Sequence, residues 1–250
     1  MADNDDFEVT PWDVEGHVDY QRLIDKFGTE RLTDSLKQRL FTLAGQDNLY
    51  LRRDFIFSHR DLDDVLDNYE DGDDFFLYTG RAPSGKMHIG HIVSFYLTKW
   101  FQDAFNVNVY IQIPDDEKYW AKDNLSLSDI DHYATENIRQ IAAVGFDPDK
   151  TFIFRNREYI SNMYDAAIKV SNEVNYSVAQ SVFGFQSSTN IGMSFYHALP
   201  CRCSQRSSKK TRASSPQRST KTHTGASNET SPINSATTKP PPSTTNSYQP

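Results

Sequence analysis

Between residues 18 and 70 the apolar positions fall at helical spacing. Tyr20, Leu23, Ile24 and Phe27 share one face, and Leu32, Leu36, Leu40 and Leu43 mark a second amphipathic stretch that stops at Gly45. A short extended stretch, Asp54 to Phe57, leads to Ser58, which the pattern predicts as the cap of a helix through Leu62, Val65, Leu66 and Tyr69. Gly72 then interrupts the chain. The periodicity changes after it. Phe75 to Thr79 reads as a buried strand, followed by a turn from Gly80 to Gly85 and a helix from about His88 to Phe105. Val109, Ile111 and Ile113 alternate in a strand over 107–113, a helix runs from Ser128 to Val144 with Gly145 at its stop, and Thr151 to Phe154 is a third strand. Helices are expected again over 161–174 and 178–183.

Strand, helix, strand, helix, strand in that order predicts an α/β fold with a parallel sheet, because parallel neighbours need a long crossover. The expected organisation is a helical region over 1–72, the α/β domain over 73–197 and a tail over 198–250.

Composition separates that tail from the rest. From Cys201 to Pro250 there are eight Lys and Arg, one Glu, twenty Ser and Thr, six Pro, and no Leu, Val, Phe, Met or Trp. Such a segment cannot bury enough apolar surface to order itself, so it is expected to be disordered. The overall charge of −8 is the sum of −15 before residue 201 and +7 after it. An acidic body argues against nonspecific nucleic-acid binding and fits a halophile's interior. The longest apolar runs have four residues, which excludes a membrane-spanning helix. An acidic start without an apolar leader, together with only two cysteines, Cys201 and Cys203, predicts a cytoplasmic protein without a disulfide framework.

The chemistry concentrates in Pro83 to His91, directly after the first strand and at the mouth of a helix. In open parallel sheets ligands bind beyond the carboxyl ends of the strands. His88 and His91 flank Gly90 one helical turn apart, so imidazole donors, backbone N–H groups and the positive end of the helix dipole converge on a polyphosphate there. Gly90 leaves room for a flat base. Gly80, Gly85 and Lys86 have the spacing of a Walker A loop, but Met87 stands where that loop needs a hydroxyl. Taken alone, His88 could be a helix cap and His91 a surface side chain. Tyr78 could equally be a core aromatic, and Asp115 to Lys118 a solvated helix start.

His88-Ile89-Gly90-His91 after the first strand resembles the signature of class I aminoacyl-tRNA synthetases. Tyr78 to Ser84 and Ile111 to Tyr119 resemble the tryptophan and ATP motifs of tryptophanyl-tRNA synthetases of the archaeal and eukaryotic type. Pro11-Trp12, Asp19-Tyr20, Leu51 to Arg53, Phe57 to Asp61, Gly145 to Asp147 and Phe183 to Phe185 match as well, so the resemblance covers about residues 8–197. It implies a partial Rossmann domain and ATP-dependent charging of tRNA(Trp) with L-tryptophan, with Mg²⁺ arriving on ATP and no dedicated metal site. It further implies that Tyr78 and Gln112 bind the indole N–H, that Glu117 binds the α-ammonium, and that His88 and His91 hold the ATP phosphates during catalysis. Arg81 and Gly90 complete the ATP site, and the family is typically a homodimer. Tyrosyl-tRNA synthetase is the nearest enzyme alternative, and a noncatalytic protein that at most binds ATP is the alternative of another class.

The resemblance breaks after Tyr196. The family's later segments, including its Lys-Met-Ser loop, do not follow, and the break falls inside a family motif, where apolar residues vanish. An out-of-frame translation explains this pattern, and a natural basic extension that tethers RNA by charge is the alternative. On either account full catalysis by this chain is expected to be impaired.

Overall fold

The computed structural model describes residues 28–196, Ile24, and the backbone of five two-residue strands: Glu8–Val9, Val14–Glu15, Arg212–Ala213, Gln217–Arg218 and Ser235–Ala236. Apart from Ile24 and these pieces, the expected helix face of Tyr20, Leu23 and Phe27 and the expected disordered tail lie outside the described residues.

The region before Gly72 comprises β1 (Glu30–Arg31), α1 (Asp34–Ala44), α2 (Leu49–Arg52), β2 (Ile56–His59) and α3 (Leu62–Glu70). Helix α1 stops at Gly45 as its sequence predicts, and Thr33 caps its start. The Thr33 side chain accepts the Leu36 N–H, and Gly45 turns the chain out with a left-handed φ of 67°. The expected Ser58 cap is not observed. Ser58 lies inside β2, where Glu30 pairs with His59 and Arg31 with Ser58, and the strand carries the chain past it. Asp61, in a left-handed conformation at φ 57°, occupies the cap position of α3, and the Leu62 N–H is taken by His59 Nδ1 at 3.3 Å.

Three parallel strands follow in sequence order: β3 (Leu77–Gly80), β4 (Val109–Ile113) and β5 (Thr151–Arg155). They are connected through α4 (Ile89–Phe105), then α5 (Glu117–Ala121) and α6 (Leu127–Ala142). Helix α7 (Asn156–Glu173) starts on the residue after β5, five residues earlier than its apolar spacing predicts, and α8 (Tyr176–Phe183) and α9 (Ile191–Tyr196) complete the described chain.

Partners in a parallel ladder point to the same side of the sheet, so side chains sort by alternation. On one side Val109, Ile111 and Ile113 are fully buried and share a cluster with Phe95, Leu97 and Phe101 of α4 and with Ala134 and Ile141 of α6. Leu36, Leu40, Leu51, Ile56 and Leu66 join the same cluster, so residues 28–72 pack into the core of the sheet. The opposite side carries Tyr78 and Phe154 packed with Met163 of α7, with Phe76, Tyr110 and Tyr159 around them.

Candidate active site at the carboxyl ends of the strands

Four ladder pairs bring β3 and β4 together, ending with Gly80 opposite Gln112. Because Gly80 has no side chain, the Tyr78 ring, two residues back on the same side, reaches across to Gln112. Its hydroxyl donates to Gln112 Oε1. The other end of the Gln112 amide, Nε2, donates to Asn156 Oδ1 at 2.6 Å, and Asn156 Nδ2 donates to Asp116 Oδ1 at 2.9 Å. All four side chains are buried, and Asn156 is wholly so. The two sequence-predicted indole ligands thus stand together, in a chain of bonds that ends on a carboxylate. Asn156 and Asp116 were not among the predicted site residues.

Asp115, Asp116, Glu117 and Lys118 open α5 as the sequence allows, but not as a solvated helix start, because all four are buried. They are satisfied by one another and by neighbours. Lys118 Nζ donates to Glu117 Oε1 at 3.0 Å, and Asp115 accepts from Arg155 Nε at 2.9 Å and from the Arg157 N–H at 3.0 Å. Burial pushes the Asp116 carboxyl up to about 6, against the pull of its hydrogen bonds from Asn156 and the Glu117 N–H. Arg81 extends the ladder, its N–H donating to the Gln112 carbonyl at 3.0 Å. Its guanidinium is buried, its Nε lacks a hydrogen-bond partner among the described residues, and desolvation lowers its pKa to about 10 although Glu117 opposes this. Arg81 remains a cation at neutral pH in a place where an anionic ligand group would complete its bonding.

His88 and His91 meet at the mouth of α4, with ring centroids 3.7 Å apart. His88 is the cap residue. Its Nδ1 accepts the Gly90 N–H at 3.1 Å, while its own N–H donates to His91 Nδ1 at 3.1 Å. The expectation that free backbone N–H groups greet a phosphate therefore needs correction at Gly90, whose N–H the His88 imidazole occupies. Using Nδ1 as acceptor places the proton of each neutral ring on Nε2, so the imidazoles take over as donors. Helix α6 steadies the preceding loop: Asn137 Nδ2 donates to the Gly85 carbonyl at 3.0 Å, and Gln140 Oε1 accepts the Met87 N–H at 3.4 Å. Hence Tyr78, Arg81, Gln112 and Glu117 belong to one buried polar group, and His88, Gly90 and His91 to a rim, exposed at His88 and half-buried at the other two, where the loop that leaves the same strand enters α4.

A cavity of about 360 Å³ adjoins the buried group, lined by Asp116, Tyr119, Trp120, Asn156, Arg157 and Ile160 among others. Among the described residues one set could gather around a metal ion, Glu30, His59 and Asp63, but the Leu62 N–H already occupies His59 Nδ1. No helix among the described residues is long and apolar enough to cross a membrane.

A parallel sheet with polar groups at its carboxyl ends and a His-Ile-Gly-His helix mouth is the arrangement that the resemblance to class I tRNA synthetases implies. Residues 70–193 match the family model described as tRNA synthetases class I (W and Y), and through them the chain belongs to that family. It is similar to the tryptophan–tRNA ligase of Thermococcus kodakarensis, at 56% identity over 196 residues, which are 78% of this chain and 51% of the relative. That of Saccharolobus solfataricus is 53% identical over 195 residues, with the same coverage of 78% and 51%. The chain also superposes on the tryptophanyl-tRNA synthetase of Plasmodium falciparum with a TM-score of 0.70 at 40% identity, covering 74% of this chain and 53% of the other. For the enzyme from Encephalitozoon cuniculi bound to tryptophan the TM-score is 0.70 at 41% identity, covering 74% and 52%. The chain spans about half the length of the curated relatives it matches.

Proposed function

We propose that this site serves the ATP-dependent activation of L-tryptophan and its transfer to tRNA(Trp). The observation that supports this most is the buried Tyr78–Gln112 pair at adjoining strand ends. A hydroxyl and an amide oxygen can both accept an indole N–H, and burial makes that hydrogen bond selective against side chains that lack the donor. Glu117 receives the α-ammonium, and Arg81 attracts the carboxylate or the α-phosphate. His88 and His91 donate through Nε2 to phosphate oxygens of ATP, which brings Mg²⁺ with it. A carboxylate oxygen of tryptophan attacks the α-phosphorus. The bond to pyrophosphate breaks, and the histidines stabilise the charge that develops on the phosphate oxygens.

Tyrosine is the nearest alternative substrate, since the family model covers both amino acids. A noncatalytic chain that at most binds ATP is the alternative of another class. ATP–pyrophosphate exchange, measured with tryptophan and with tyrosine, tests all three. Exchange driven by tryptophan alone supports the proposal, exchange driven by tyrosine replaces it, and binding of neither amino acid removes it. The proposed compartment is the cytoplasm and the proposed assembly a homodimer, which sedimentation measures directly.

A further inference from the structure

We propose that Asn156 is a positioning residue that holds the Gln112 amide with its oxygen toward Tyr78, so that the site selects a ring that donates an N–H. This rests on the indole reading of Tyr78 and Gln112 given above.

The Gln112 amide has to point one way. A carboxamide has a donating end and an accepting end, and nothing in its shape decides which faces where. Tyr78 does not decide it, because a hydroxyl both donates and accepts. Asn156 does. Its Oδ1 lies 2.6 Å from Gln112 Nε2 and its Nδ2 lies 2.9 Å from Asp116 Oδ1, which also accepts the Glu117 N–H at 2.9 Å. The Asp116 carboxylate only accepts, so it fixes the Asn156 amide, which fixes the Gln112 amide in turn. Turning Gln112 over would set its NH₂ against a ring N–H, donor against donor, and would leave Asn156 Oδ1 buried without a partner. Asn156 is fully buried and starts α7 immediately after β5, which fixes where its amide stands.

The full chain, labelled with ¹⁵N-glutamine, gives the first test. The Gln112 side-chain NH₂ signals, assigned by their loss in Gln112→Ala, are expected to exchange slowly with solvent. They should exchange at least about tenfold faster in Asn156→Leu and stay protected in Asn156→Asp. An aspartate there shares a proton with Asp116 and keeps the same donor and acceptor pattern.

The second test compares equilibrium binding of tryptophan with that of 3-benzothienylalanine, in which sulfur replaces the N–H. The preference for tryptophan is expected to fall about tenfold in Asn156→Leu through tryptophan alone, and to return within threefold of the original in Asn156→Asp. Equal losses for both compounds, or unchanged Gln112 protection in Asn156→Leu, overturn the proposal. If Asn156→Leu does not fold, a folded Asn156→Asp that has lost the preference overturns it equally. Should the unaltered chain bind neither compound, the tryptophan reading fails, and the exchange measurement still decides what Asn156 does.

Discussion

A methyl group on Gly80 would lie 2.7 Å from the backbone carbonyl oxygen of Gln112, closer than any side chain tolerates. The two residues are ladder partners, so the strand that carries Tyr78 can approach the strand that carries Gln112 only through a glycine. Gly80→Ala is expected to push β3 and β4 apart locally, at about 1–3 kcal/mol of stability. It should also weaken tryptophan binding by separating the Tyr78–Gln112 pair. Urea unfolding and equilibrium binding check the two effects, and an alanine variant that matches the parent in both contradicts the close approach.

Gln112→Ala removes the centre of the buried chain and takes one partner from each of Tyr78 and Asn156. One neutral hydrogen bond is worth about 0.5–1.5 kcal/mol, and the loss of two buried ones raises the cost to about 1–3 kcal/mol. The loss should appear in tryptophan affinity and spare ATP affinity, as separate titrations would show. Equal weakening of both ligands would contradict the assignment of Gln112 to the ring.

His91→Ala should slow single-turnover adenylate formation by about a hundred- to a thousandfold, or about 2.7–4 kcal/mol, with little change in ATP affinity. It also removes the acceptor of the His88 N–H, so the mouth of α4 is expected to lose about 1 kcal/mol of stability. Thermal unfolding reads the second effect separately. A folded variant with an undiminished rate would take His91 out of the reaction.

The buried Asp116 carboxyl gives the fold a pH dependence of unusual sign. Its pKa rises from an ordinary 3.8 to about 6, so between these values the folded chain holds a proton that the unfolded chain has released. Stability from this group is greatest below about pH 4, declines as pH rises through about 6, and is level above that, a total of about 3 kcal/mol. Asp116→Asn keeps an acceptor for the Asn156 and Glu117 donors and removes the ionisation. The difference in urea midpoint between parent and variant should therefore grow in the variant's favour from pH 4 to 7. A difference independent of pH would show that Asp116 titrates normally.

The sheet was legible because residues 75–79 form a continuous apolar run and Val109, Ile111 and Ile113 alternate, and the end of α1 was legible because Gly45 stops its apolar face. Gln112 was named through the resemblance of Ile111 to Tyr119 to a family motif. Asn156 was not, since Arg155-Asn156-Arg157-Glu158 reads as a polar turn, and only the direct passage of β5 into α7 reveals its position. Asp115 to Lys118 look like surface because charge usually marks solvent, and the arginines and lysine that compensate them are distant in sequence or lie beside them in the same run. Ser58 failed as a cap for a related reason: pairing with Arg31 across β1 and β2 decides its backbone, and a local pattern cannot show that.

The missing loop between β5 and α7 also sets where the gene tolerates change. A helix turns about 100° per residue, so one codon inserted between Arg155 and Asn156 would swing the asparagine away from Gln112, while an insertion among the exposed Asp123 and Asn124 would be absorbed before α6 begins. Length variation among natural or engineered versions should accordingly collect at the latter connection and be absent from the former.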